Sequence, residues 1–167
     1  GDVHVTKAWL CFTAGLHDLG KHTPQFQGMI FEKMGFEFNH PYKEGFVYSS
    51  NHNLHHSRLG AEILYKIGYP EFIASVVNGH HGEIPAAHSK NQSQMLVFPR
   101  AYFGGCSEFE NQWLQDWDQI IKQMELLTGF DENYFNLKPS IEDLILAEGL
   151  VIMADWIASN VDYFPLI

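Results

Sequence analysis

Ten histidines fall within 167 residues, and where they sit says more than their number. His17 and Asp18 stand side by side in GLHDLGK. His55 and His56 follow a polar stretch, and His80 and His81 lie between Gly79 and Gly82. Asp155 sits inside VIMADWIASN, the most apolar run of the chain. Imidazole suits borderline transition metals, while carboxylate adds charge and can bridge two ions. Several histidines with two aspartates and no thiolate point to Fe, Mn, Co, Ni or Zn in a hydrolytic role, since structural zinc prefers cysteine. Two such ions about 3.5–4 Å apart would clamp a phosphate and activate water near neutral pH. Each position also has an ordinary reading. His17 and Asp18 can form a hydrogen-bonded group with Lys21, and Asp155 can be a helix residue facing water. Yet an ionisable side chain among apolar neighbours is expensive unless it is paired or coordinated. Only the combination of the four positions favours metal. His4, His22, His40, His52 and His88 are read as capping or solvated residues. Gly79 and Gly82 are expected to let the backbone approach a ligand closely.

Helices must carry these residues. Ala8, Phe12, Leu16 and Leu19 recur at helical spacing, with Trp9 and Cys11 filling out the apolar surface, so Thr6–Leu19 is a helix with His17 and Asp18 in its last turn. Gly20 stops it, and Pro24 argues against continuation. His55–Ile67 is helical through Leu59, Ile63, Leu64 and Ile67, and Glu71–Asn78 is a shorter helix. Asn111–Leu127 places Trp113, Leu114, Trp117, Ile120, Ile121, Met124 and Leu127 on one side. The last helix opens at Pro139-Ser140, with Ser140 and Asp143 forming a cap, and runs to about Val161. It carries Leu144, Leu150, Val151, Ala154, Ile157 and Ala158 and is read as a core helix. Residues 40–53 and 82–93 read as loop, and Val97–Phe103 is the one extended candidate. The fold class is therefore all-α, with the site at helix ends.

The length suits a single domain over residues 1–167. Apolar residues make up 46% of the chain, enough for a substantial core. The net charge of −10 argues against a free-standing duplex-DNA binder but not against a hydrolase whose bound cations supply positive charge. Cys11 and Cys106 form no metal-type pair and read as free thiols in a reducing cytoplasm, with Cys11 in the core. No apolar run reaches membrane length and no signal-peptide pattern occurs, so no membrane partner is expected. The chain opens on Gly1 and enters a helix at once, which suggests that an N-terminal segment precedes it.

The order His-Asp, His, His-His, Asp resembles the HD superfamily of metal-dependent phosphohydrolases. The segments AWLCFTAGLHDLGKHTPQFQ, HHSRLGAEIL, VVNGHHGEIP and VIMADWIASN resemble one branch of it. That branch is the HD nuclease domain of the CRISPR-associated helicase-nuclease of type I interference systems. The resemblance implies an HD-domain helical bundle and a two-metal site. His17, Asp18 and Asp155 would hold one ion and His56, His80 and His81 the other, with Asp18 bridging. His56 is preferred to His55 because the family's ligand precedes a small residue by four positions, as His56 precedes Gly60. Lys21 matches the lysine of the HDxGK motif and would steady a phosphate oxygen, so Asp18 and Lys21 are the catalytic candidates. The family carries a further ligand histidine on an upstream helix, for which His4 is a poor match.

The implied activity is cleavage of phosphodiester bonds in single-stranded DNA, alongside a helicase domain or subunit and a CRISPR surveillance complex. No GxxxxGK[ST] loop occurs, so no ATP is expected on this domain. Two alternatives stand beside this reading. One is an HD-type nucleotide phosphohydrolase with the same metal site; the other is a non-catalytic helical interaction module.

Overall fold

A computed structural model describes residues 3–35, 55–82 and 107–164. The loop expected at 40–53, nearly all of that at 82–93, the extended piece Val97–Phe103, His40, His52, His88 and Cys106 lie outside these residues. The described residues contain helices and turns and no strand, in keeping with the all-α expectation. The helices are α1 (Val3–Leu16), α2 (Pro24–Lys33), α3 (His56–Ile67), α4 (Glu71–Gly79), α5 (Ser107–Thr128) and α6 (Ile141–Ala158). Single 3-10 turns cover Leu19–Lys21 and Glu132–Asn136.

The core forms where the apolar stripes of α1, α3, α4 and α5 meet. Ala8, Trp9, Phe12 and Leu16 are buried on α1. Trp9 meets Phe72 edge-on, and Phe12 stacks on Phe130 at 4.3 Å between centroids. Leu59, Ile63 and Leu64 of α3 face Ile73, Val76 and Val77 of α4 in the best-packed helix pair. α3 ends at Gly68, whose φ of 99° lies in the left-handed region that favours glycine. Trp113, Trp117 and Ile121 close the core from α5. Trp117 also donates its indole N–H to the His22 carbonyl at 2.7 Å, tying α5 to the segment after the first 3-10 turn.

Several expectations are corrected. The first helix ends at Leu16, so His17 and Asp18 follow it rather than occupy its last turn. The first helix does not continue to Pro24, which instead opens α2. Thr23 caps it by accepting the Phe26 N–H, and proline at the first helical position gives up no helix hydrogen bond. Cys11 is exposed, because the stripe through Ala8, Phe12 and Leu16 turns it away from the core. Leu127 is likewise exposed.

The largest correction concerns α6. Ser140 and Asp143 form the expected capping box. However, α6 meets α4 and α1 along a narrow stripe in which only Ala147, Glu148 and Val151 are buried. Leu150, Ala154, Ile157 and Ala158 are exposed. Uniform apolarity carries no periodic signal, so it could not reveal which face would be covered.

Candidate metal centre

His17 directly follows α1 and donates its Nδ1–H to the Ala14 carbonyl at 2.6 Å. A carbonyl can only accept, so this bond fixes the tautomer and leaves Nε2 with its lone pair. Asp18 comes next, at φ −96° and ψ 10°, in the bridge region where many active-site residues are found. The Lys21 amide closes the turn onto the Asp18 carbonyl, and Leu19 anchors it in the core.

Gly20 explains the spacing of the motif. A Cβ on Gly20 would lie 1.8 Å from the His56 carbonyl oxygen and 2.6 Å from the Gly60 amide nitrogen. Only glycine lets this turn lie flat on the first turn of α3. The glycine four residues after His56 serves the same contact, since a Cβ there would lie 3.1 Å from the Gly20 nitrogen. This approach sets His56 Nε2 3.2 Å from Asp18 Oδ1.

His80 follows α4 as His17 follows α1. Its Nδ1–H goes to the Val77 carbonyl at 2.6 Å, and its ring is buried. Nε2 of His80 lies 3.9 Å from Asp18 Oδ1. Asp155 reaches the group from α6, on the stripe that buries Ala147 and Val151. Its Oδ1 stands 3.5 Å from His17 Nε2, and Ser159 donates a hydrogen bond to the same oxygen. His81 approaches the same nitrogen of His56, with the two Nε2 atoms 2.9 Å apart. Lys21 places Nζ 2.6 Å from Asp18 Oδ2.

The structure thus brings together His17, Asp18, Lys21, His56, His80, His81 and Asp155. Their charges are strongly coupled. Burial pushes the Asp18 carboxyl up, but the neighbouring His17, His56 and Lys21 side chains outweigh it and hold it well below the usual carboxylate range. Asp18 raises the His17 pKa through their contact, against the opposing effect of burial. Burial lowers His80 to about 4, helped by the neighbouring imidazoles. His81 is lowered by burial and by the charge of His55 and His56.

These residues fit a metal. Nε2 of both His17 and His80 is buried without a hydrogen-bond partner, and in both rings the other nitrogen is committed to a backbone carbonyl. An orphaned buried lone pair is costly, and a cation would satisfy it. Three sets of ligand atoms lie close enough to share an ion: His17, Asp18 and Asp155; Asp18, His56 and His80; and His55, His56 and His81. Asp18 belongs to the first two.

Two residues escaped the sequence reading. His55 stands beside both His56 and His81, and the His-His doublet is the signal for it. Glu148 is a buried carboxylate in α6, and a Cβ on Gly79 would lie 2.4 Å from its Oε2. Gly79 therefore makes room for Glu148 rather than for a ligand. Its signal was the helical spacing from Glu148 through Val151 to Asp155. Gly82 is needed for its backbone, with φ 90°.

The family model described as "Cas3, HD domain" matches residues 1–164. The chain belongs to the Cas3 HD-domain family. This is the family that the four motifs resembled. The chain is also 30% identical over 179 aligned residues to the CRISPR-associated nuclease/helicase Cas3 of Streptococcus thermophilus. That alignment takes in 93% of this chain and 18% of the relative, so the chain spans about a fifth of the length of the Cas3 protein it matches. No solved structure matches. None of the described helices is long and apolar enough to cross a membrane.

Proposed function

We propose that this chain is a metal-dependent nuclease domain that cleaves phosphodiester bonds in single-stranded DNA during type I CRISPR interference. The observation that carries the reading is the position of Asp18. One carboxylate oxygen faces His17, which contacts Asp155, and the other faces His56 and His80. On this reading His17, Asp18 and Asp155 hold one divalent transition-metal ion, and His56, His80 and His81 hold a second, with Asp18 between them. Two such ions, when bound, supply charge neutralisation at the phosphate and a water acidic enough to attack at neutral pH.

The remaining work belongs to side chains. His17 and His80 keep their rings fixed through Ala14 and Val77, so their lone pairs converge without reorganisation. Lys21 exchanges its contact with Asp18 for a phosphate oxygen of the substrate. Its ammonium is two-fifths exposed and sits on the carboxylate that a cation would neutralise.

A helicase domain or subunit and a surveillance complex are the partners this reading names, and the cytoplasm is its location. The exposed Leu146, Leu150, Met153 and Trp156 on α6 support a protein partner, since contiguous exposed apolar surface usually marks one. ATP binding would belong to the helicase.

The test incubates the protein with circular single-stranded DNA and Mn, Co, Ni or Fe, with free nucleotides in parallel. Cleavage of the circle that is lost in Asp18→Asn is expected. Turnover of nucleotides with none of DNA would favour the nucleotide phosphohydrolase. No bound transition metal and no turnover would favour a non-catalytic module.

A further inference from the structure

We propose that His55, His56 and His81 form a separate all-imidazole cation position at the rim of the centre. It takes Zn2+ in preference to Mn2+ and competes with the inner position for His56 and His81. The competition rests on the two-ion reading above; the rim position itself rests on its own geometry.

One nitrogen from each of the three rings lies within 4.8 Å of the others. The His55 ring centroid is 4.4 Å from that of His56 and 4.3 Å from that of His81. The two Nε2 atoms of His56 and His81 are 2.9 Å apart. Two imidazole lone pairs cannot face each other at that distance, so a proton or a cation must sit between them.

Helix capping brings His55 to this place. As the N-cap of α3 it has an extended backbone, φ −61° and ψ 142°, where the helix would otherwise begin. Its Nδ1 is hydrogen-bonded to Ser57 Oγ at 2.9 Å, which steadies the ring. His55 and His81 are exposed, so an ion can enter from solvent without passing the inner centre.

The donor set decides the preference. The trio is three imidazole nitrogens with no carboxylate among the described residues that share it, whereas the inner set contains Asp18. Nitrogen-only sites follow the order that ranks Zn2+ and Cu2+ far above Mn2+, and oxygen donors are what Mn2+ favours. Three imidazoles with open positions are a familiar zinc set. The Nε2 of His56 faces both Asp18 and His81, and a single lone pair serves one ion at a time. A rim-bound Zn2+ therefore withdraws His56 and His81 from the inner set, so excess zinc should inhibit cleavage supported by Mn2+.

The test titrates metal-free wild-type protein, His55→Ala and Asp18→Asn with Zn2+ and Mn2+ by calorimetry. The Co2+ absorption spectrum serves as an independent readout of a low-coordinate nitrogen site. In His55→Ala, Zn2+ affinity should fall tenfold or more while Mn2+ affinity changes less than twofold. Asp18→Asn should show the reverse, losing Mn2+ and keeping the rim Zn2+. The Zn2+ concentration that halves Mn2+-supported cleavage should rise at least tenfold in His55→Ala. Unchanged Zn2+ affinity in His55→Ala, or loss of all Zn2+ binding in Asp18→Asn, would overturn the rim position. If wild type still binds Mn2+ and cleaves DNA in that case, the two-ion reading stands. A wild type that binds neither ion sinks both.

Discussion

Gly20→Ala should separate the HDLGK turn from α3 and so disconnect the two halves of the centre. The added Cβ would meet the His56 carbonyl oxygen at 1.8 Å, its carbonyl carbon at 2.8 Å and the Gly60 nitrogen at 2.6 Å. All three are backbone atoms, so no side chain can swing aside. The turn and the helix must part by more than an ångström to reach ordinary contact. Overpacking of this kind costs about 1–3 kcal/mol. In a domain of this size each kcal/mol moves Tm by about 2–4 °C, so a fall of about 2–12 °C is expected. The same displacement carries Asp18 away from His56, now 3.2 Å off, and Mn2+ affinity should drop about 10–100-fold. Gly149→Ala is the control, with the opposite sign. Gly149 lies mid-helix in α6 with nothing within 4 Å of its would-be Cβ, so alanine there should gain about 1 kcal/mol of helix propensity and raise Tm. Thermal melts of both variants with and without Mn2+ give the answer. A Gly20→Ala protein that melts like wild type and binds Mn2+ normally would refute the close-approach argument.

Further outcomes follow from other contacts. Lys21→Ala should lower kcat/KM on single-stranded DNA about tenfold while Mn2+ affinity holds or rises, because the ammonium competes with the cation for Asp18; unchanged kinetics would remove Lys21 from the mechanism. His80 has its pKa lowered to about 4 by burial, so protonation favours the unfolded chain. The metal-free protein should therefore be most stable above pH 6.5 and lose on the order of 3 kcal/mol of that contribution as pH falls toward 4. His17, raised by Asp18, titrates in the opposite sense. Urea unfolding across this range should show a flatter acid limb in His80→Asn, and an identical limb would contradict the assignment. Ser140→Ala removes one arm of the capping box and should lower stability by about 1 kcal/mol without changing metal affinity, as read by melting and calorimetry.

Residue types and helical periodicity by themselves determined the all-α class and the positions of α3, α4, α5 and α6 within a few residues. They also marked His17-Asp18, His55-His56, His80-His81 and Asp155, and the family resemblance chose His56 within its doublet. Those features are local: periodicity needs only one helix, and the choice of imidazole with carboxylate already limits the chemistry. Tertiary structure decided the rest. Gly20 looked like a helix stop, and only the backbone of α3 lying against it shows why no side chain fits. Gly79 looked like room for a ligand, and Glu148 fills that room from a helix nearly seventy residues away. The apolar run around Asp155 looked like core on every side, yet α6 is covered along one stripe only. His55 and His56 are neighbours of equal chemistry in the chain. The spacing from His56 to Gly60 marks the one that meets Asp18, but that His81 comes up to the same nitrogen, with His55 beside it, depends on where α3 begins relative to two other helix ends.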